Sequence, residues 1–170
     1  MKTFFRLAVV AVTLVSFFSF RPGDGEWVTY QEKKKARFEI QFPEKPKADN
    51  KGTNWFISAT LDEPLTNFYV SVDFNTQNYT EETFRTRVQS NIDVVEQIFT
   101  TKVAEKTEMQ FNGCLCIEYQ YDMFGMKSVV RAFAKDNKLY ELTVNPIVGE
   151  MPVMQRDKYF NSFRFLPPKK

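Results

Sequence analysis

Between Val103 and Val144 hydrophobic alternation persists through four successive segments separated by turn residues. A period of two marks strands with one face on a core. The first segment, Val103 to Gln110, ends at Phe111-Asn112-Gly113, and the second runs from Cys114 to Tyr121. Asp122 to Met126 turns around Gly125 into a third, Lys127 to Ala134, and Asp136-Asn137 reverses into a fourth, Lys138 to Val144. Connections this short join antiparallel neighbours, because a parallel return needs a crossover of about a dozen residues. An antiparallel meander is therefore expected to hold the core.

A different period precedes it. Phe84, Val88, Ile92, Val95 and Phe99 follow the spacing of one apolar helix stripe, with Arg85, Gln89, Asp93, Glu96 and Gln97 opposite. Asn78 or Thr80 is placed to cap this helix, Glu81 and Glu82 suit its first turn, and Lys102 lies just beyond its end. The helix, Thr80 to Thr100, is expected to pack across one face of the meander's sheet. Asn78-Tyr79-Thr80 also matches a glycosylation acceptor, though capping explains the same residues.

The N-terminal half reads as three further strands. Phe38, Ile40 and Phe42 alternate with Glu39 and Gln41 until Pro43 and Pro46 stop the ladder, since proline has no N–H to donate. After a turn at Asp49 to Thr53, Trp55, Ile57, Ala59 and Leu61 share a face, and Phe68, Val70, Val72 and Phe74 repeat the pattern. Short connections predict that the three are consecutive antiparallel neighbours. Lys33, Lys34 and Lys35 read as a solvated turn or a docking patch. Beyond Asn145-Pro146 a loop leads to a short helix near Val153 to Phe160, and Phe163 and Phe165 bring aromatics to the C-terminal end. The pattern is that of one α+β domain over residues 27–166, followed by a tail at 167–170.

Residues 1–20 carry Lys2 and Arg6 ahead of an apolar or small-residue run from Leu7 to Phe20, the form of a secretory signal. Residues 21–26, with Pro22, Gly23 and Gly25, read as a linker. Export to the periplasm or beyond is the expectation, with an uncleaved membrane anchor as the alternative, because the residues upstream of Ser16 and Ser19 are large. Setting aside Lys2 and Arg6 leaves 21 basic and 21 acidic residues. A neutral chain lacks the cationic excess that binding many phosphates along a nucleic acid requires. The sequence contains no histidine, which removes His-based metal sites and Ser-His or Cys-His nucleophiles.

Four stretches resemble exported bacterial proteins of the PsbP-like fold, which the Mog protein shares. They are Arg37-Phe38-Glu39-Ile40-Gln41-Phe42-Pro43-Glu44-Lys45-Pro46, the long helix after three strands, Asn112-Gly113 with Leu139-Tyr140-Glu141-Leu142-Thr143-Val144, and Tyr159-Phe160-Asn161-Ser162-Phe163. The resemblance implies a central antiparallel β-sheet flanked by helices on its two sides, an α/β/α sandwich. It also implies a non-enzymatic role in binding or assisting a larger assembly. An envelope protein or a small apolar ligand is the expected partner, which the resemblance itself does not supply. Photosynthetic members place acids and histidines around metal ions; with no histidine here, no metal site or cofactor carries over.

Two constellations remain as candidates. Cys114 and Cys116 point to the same face of a strand, about 6–7 Å apart from the strand rise, whereas disulfide Cβ atoms sit about 3.8 Å apart. A bulge at Gly113 is what a Cys-x-Cys bridge, and with it a thiol-disulfide function, requires; the bland reading is two small sheet residues. The other constellation is aromatic. Trp55, Tyr69, Tyr119, Tyr121 and Tyr140 are candidates to line a binding cleft, expected on the sheet face opposite the long helix. The turn Met123-Phe124-Gly125-Met126 is the expected exposed apolar contact. Asp73, Glu118 and Asp122 are acids that only the fold can bring together.

Overall fold

The computed structural model describes residues 26–74 and 78–167, so the expected signal segment, nearly all of the linker and the last three residues lie outside the described residues. Ten strands and two helices follow in chain order. They are β1 (Val28–Glu32), β2 (Phe38–Phe42), β3 (Lys47–Lys51), β4 (Asn54–Asp62), β5 (Leu65–Asp73), α1 (Glu81–Phe99), β6 (Val103–Phe111), β7 (Cys114–Met123), β8 (Met126–Lys135), β9 (Lys138–Pro146), α2 (Val153–Ser162) and β10 (Arg164–Phe165). Seven strands form one antiparallel sheet in the order β3-β4-β5-β9-β8-β7-β6, and three form a second in the order β1-β2-β10.

The meander is present as β6 to β9, each strand beside the next. Its hairpins follow from local chemistry. Asn112 and Gly113, Phe124 and Gly125, and Asp136 and Asn137 all take positive φ, the geometry that two-residue loops need to match strand twist. The helix also forms as its stripe dictates: Phe84, Val88 and Ile92 are buried. Thr80 caps it, its hydroxyl accepting from the Thr83 N–H at 3.2 Å while Thr83 Oγ1 accepts from the Thr80 N–H at 2.9 Å. Glu96 then ties the exit, its carboxylate accepting from the Val103 N–H at 2.9 Å and from Lys102 at 2.8 Å.

The expected helix-flanked sandwich is not what forms. Strands take 52% of the described residues against two helices, and the fold is dominated by its two antiparallel sheets. α1 covers one face of the large sheet, but the small sheet joins α2 over the other. The cause lies in β2, which is not a neighbour of β4 as expected. It sits in the middle of the small sheet, with Phe38, Ile40 and Phe42 all at 0% exposure. Of the expected row of three consecutive strands, β4 beside β5 is the part that forms. The segment read as a turn at Asp49 to Thr53 begins instead as edge strand β3.

Between the two sheets lies an aromatic core. Phe133 stacks on Tyr140 with centroids 5.4 Å apart, and Phe163 meets it edge-on at 5.0 Å. Phe163 also stacks on Phe38 at 5.4 Å, which joins the C-terminal end to the small sheet. The Tyr140 hydroxyl donates to the Ala36 carbonyl at 2.8 Å, so the polar end of this ring is satisfied inside the core. Phe133→Ala removes a ring at 0% exposure with four aromatic neighbours and should cost about 3–5 kcal/mol in urea unfolding. A loss under about 1 kcal/mol, the scale of a surface substitution, would contradict this packing.

Candidate functional site

α1 packs over β7 and β8 rather than over the middle of the sheet. The same face continues across β9, β5 and β4, and the helix reaches β9 and β5 through the Asn91 and Arg87 side chains. Between helix and uncovered strands runs an open groove of about 540 Å³. Val94 and Val95 form its helix wall, Phe56 stands on the sheet side, and Ser71, Asp73, Tyr119, Leu139 and Glu141 line it from the strands. Antiparallel register explains the alignment: Ser71 lies opposite both Phe56 and Glu141, and Asp73 lies opposite Leu139.

Glu141 is the chemical centre of this groove. Asn91 Nδ2 donates to one carboxylate oxygen at 2.7 Å and Ser71 Oγ to the other at 3.3 Å. Burial is the largest influence on its carboxyl and pushes it above the usual range, against the Asn91 and Ser71 donors and the Arg87 charge. Arg87 in turn pairs with Asp73 at 3.4 Å. Burial likewise pushes the Tyr119 hydroxyl up. Carboxyl groups displaced in a cleft mark candidate sites. The groove offers apolar walls and a carboxyl able to exchange hydrogen bonds with a polar head. Among the described residues no group of three or more His, Cys, Asp or Glu is arranged to hold a metal ion, and no helix is long and apolar enough to cross a membrane.

The aromatic candidates divide between the two faces. Tyr119 and Tyr121 lie on the helix side, next to Phe84, Val88 and Ile92. Tyr69 is on that side too, with its ring 5.0 Å from Phe56. Trp55 is half-buried against the opposite core, although it also borders the groove. Tyr140, at 1% exposure, belongs wholly to that opposite core, where the small sheet covers the face on which the cleft was expected.

The apolar turn joins the helix side. Phe124 is 83% exposed and holds a φ of 56°, a conformation uncommon for a bulky residue. Its ring meets Phe99 edge-on at 6.0 Å, and Phe99 stacks on Tyr121 at 5.7 Å. Met123 and Met126, paired at the base of this hairpin, are half-buried. The three acids do not converge. Asp73 is in the groove, Glu118 pairs with Arg131 at 2.6 Å, and Asp122 accepts from the Gly125 N–H at 2.6 Å.

Both cysteines are free thiols. The β6–β7 ladder runs without interruption through Cys114 opposite Phe111 and Cys116 opposite Met109, so the backbone makes no bulge that would bring the sulfurs together. Cys116 is at 0% exposure, and burial pushes its thiol up to about 12. Burial raises the half-buried Cys114 as well. Reactive thiols have depressed values in exposed, electropositive surroundings; these two have the opposite setting.

Glu141, Asn91 and Ser71 were not among the residues singled out from the sequence. The available signal was a charged residue inside Leu139 to Val144, at a position that a buried strand normally gives to an apolar side chain.

No protein-family model and no curated protein matches the chain. Solved structures do match. The chain is similar to cyanobacterial PsbP (CyanoP) from Synechocystis, with a TM-score of 0.62 over 84% of this chain and 94% of that one, at 10% identity. The fold is PsbP-like. A Bacteroides thetaiotaomicron protein is also similar, with a TM-score of 0.48, 11% identity, and coverage of 84% of this chain and 49% of that one. So is a Pseudomonas aeruginosa protein of unknown function, with a TM-score of 0.45, 13% identity, and coverage of 78% and 91%. At this identity the PsbP-like likeness concerns architecture, and function is argued from the groove itself.

A carboxyl whose folded value lies above its unfolded value stabilises the fold below the unfolded value, and that contribution is lost as pH rises through the folded value. Glu141→Gln keeps the shape without the charge. The urea midpoint of the variant should therefore gain on the wild type as pH rises from 4 toward 8. A difference independent of pH would contradict a buried, displaced carboxyl.

Proposed function

We propose that the protein is a non-catalytic extracytoplasmic binding or accessory protein, and that the groove beside α1 is its working surface. The observation that carries this reading is the lateral offset of α1, which leaves the β4–β5 part of its sheet face open next to apolar helix residues. Val94 is 51% exposed, Ile98 67% and Phe56 43%, and Phe124 extends the apolar surface past the end of the helix. Scattered exposed apolar residues need no explanation, but Val94 and Phe56 together line one concavity, which favours a contact surface. The leader-like run at Leu7 to Phe20 supports an extracytoplasmic location, and a membrane contact enters only if that run is retained as an anchor.

The occupant this surface favours is an apolar body with a polar head: a small ligand, or a side-chain row of an envelope protein. Apolar walls supply area, and Glu141 with Asn91 and Ser71 supplies orientation. Ligand sites of this kind combine mostly apolar lining with a few placed polar groups. The thiol-disulfide alternative gains nothing from the geometry of Cys114 and Cys116.

Dodecyl maltoside, kept below its micellar concentration, is a neutral probe with the same division of apolar body and polar head. Titrated into the isotope-labelled mature chain, it should shift the backbone amides of Phe56, Ser71, Asn91 and Val94 together and saturably. Val94→Asp, at a half-exposed helix position, should leave the melting temperature within a few degrees and weaken binding at least tenfold. Shifts spread over the whole surface, or binding indifferent to Val94→Asp, would sink the reading.

A further inference from the structure

A second concavity, separate from the groove, lies where the loop after β1, the β8–β9 hairpin and the C-terminal strand meet. It has a volume of about 380 Å³ and gathers Lys35 and Arg37 from the loop with Lys135 and Lys138 from the hairpin. Among the described residues Asp136 is the one acid that lines it, and Phe165 and Leu166 give it an apolar side. Four cations against one carboxylate is a local excess in a chain that is neutral once Lys2 and Arg6 are set aside.

What sets these four cations apart is that they gather at one concavity. Elsewhere Arg85, Arg87, Lys102, Arg131, Arg156 and Arg164 pair with carboxylates. Among the described residues Lys106, bonded to Gln89, and Lys158, over the Trp27 ring, also lack a carboxylate partner. Around this concavity the contacts are neutral. Lys135 Nζ sits 4.2 Å over the Phe165 ring and Lys35 Nζ 5.6 Å from the Trp55 ring. Lys138 Nζ donates to the Asp136 carbonyl at 3.1 Å, and the Arg37 guanidinium donates to the carbonyls of Lys33 and Pro167. Among the described residues, none of the four has a carboxylate within ion-pair distance.

The loop is also held in place. Glu32, 7% exposed, accepts the backbone N–H groups of Lys34, Lys35, Ala36 and Arg37 at 2.7–3.0 Å. This internal carboxylate occupies the concave turn of N–H groups, so the backbone that carries Lys35 and Arg37 is fixed beside the concavity. Arg37 holds a φ of 53°, and its carbonyl accepts from the Leu166 N–H at 2.8 Å, which fastens the loop to the C-terminal segment. The cations are thus carried on an ordered frame, which lowers the entropy lost on binding.

We propose that this concavity binds a small multivalent oxyanion with phosphate chemistry, carrying a short apolar portion against Phe165 and Leu166. Arg37 supplies the guanidinium N–H groups not given to the Lys33 and Pro167 carbonyls, and the three lysines supply point charges around it. The volume is at the small-ligand end of the range for such sites, about 300–1,000 Å³. The phosphate group belongs either to a free organic phosphate or to a lipid headgroup.

Calorimetric titration of the mature chain with pyrophosphate at physiological salt is the test. Saturable one-to-one binding is expected. The double variant Lys135→Gln/Lys138→Gln should weaken it at least tenfold, while the charge-matched control Lys106→Gln/Lys127→Gln should keep it within twofold, with both melting as the wild type does. Vesicles containing phosphatidylglycerol then separate the sources: competition with pyrophosphate points to a headgroup, and no competition to a free phosphate. The proposal is overturned if pyrophosphate does not saturate, if both double variants weaken it equally, or if the vesicles alone hold the chain.

Discussion

The structure depends on burying the inner face of the large sheet under a layer built from chain segments far apart in sequence. Phe38 from β2, Phe133 and Tyr140 from β8 and β9, and Phe163 just after α2 make one contiguous aromatic contact. Full burial of an apolar side chain is worth about 1.5–3 kcal/mol, so this cluster alone is comparable with the net stability of an ordinary domain, about 5–15 kcal/mol. Closure of the N-terminal loop and of the C-terminal strand onto each other follows from it, through Leu166 to Arg37 and Tyr140 to Ala36.

That arrangement decides which face of the large sheet stays open. With the inner face sealed by the small sheet and α2, the open surface is on the other side, where a single helix faces seven strands. α1 spans only part of their width, and its apolar stripe is consumed by β7 and β8. The strands it does not cover carry polar or amphipathic residues on that face: Ser71, Asp73 and Glu141, with Tyr69 and Phe56 beside them. Their polarity is consistent with a face left to solvent or to a ligand. Loop fastening at Glu32 acts similarly at the end of the molecule where the four cations meet.

Much of this was legible before any coordinates. The meander could be read because period-two alternation and positive-φ hairpin pairs such as Asn112-Gly113 are local signals, and α1 because its stripe and Thr80 cap are local as well. Strand pairing across long separations was not legible. Phe38 to Phe42 alternates equally well whether it extends the large sheet or starts another, so its departure into the small sheet, and with it the loss of the helix-flanked sandwich, could not be read from the pattern. β3 is built from Lys47-Ala48-Asp49-Asn50-Lys51, a segment without strand propensity whose charges suit a protected edge. The groove escaped for the same reason: the offset of α1 is a tertiary property, and Glu141 becomes a site residue only when Asn91 on α1 reaches it. The aromatic candidates were real surface and core residues, but alternation assigned them to faces without saying which face stayed open.

The central claim is that the surface beside α1 is where the protein engages its partner. A photo-reactive phenylalanine analogue at position 94, expressed in the native cell from the full sequence, tests this most directly. The account predicts one discrete adduct at position 94, a protein or a small molecule, which is lost with Phe56→Ser and does not form from the exposed control position 150. Equal adduct patterns at positions 94 and 150, or no adduct at position 94 while other faces crosslink, would contradict it.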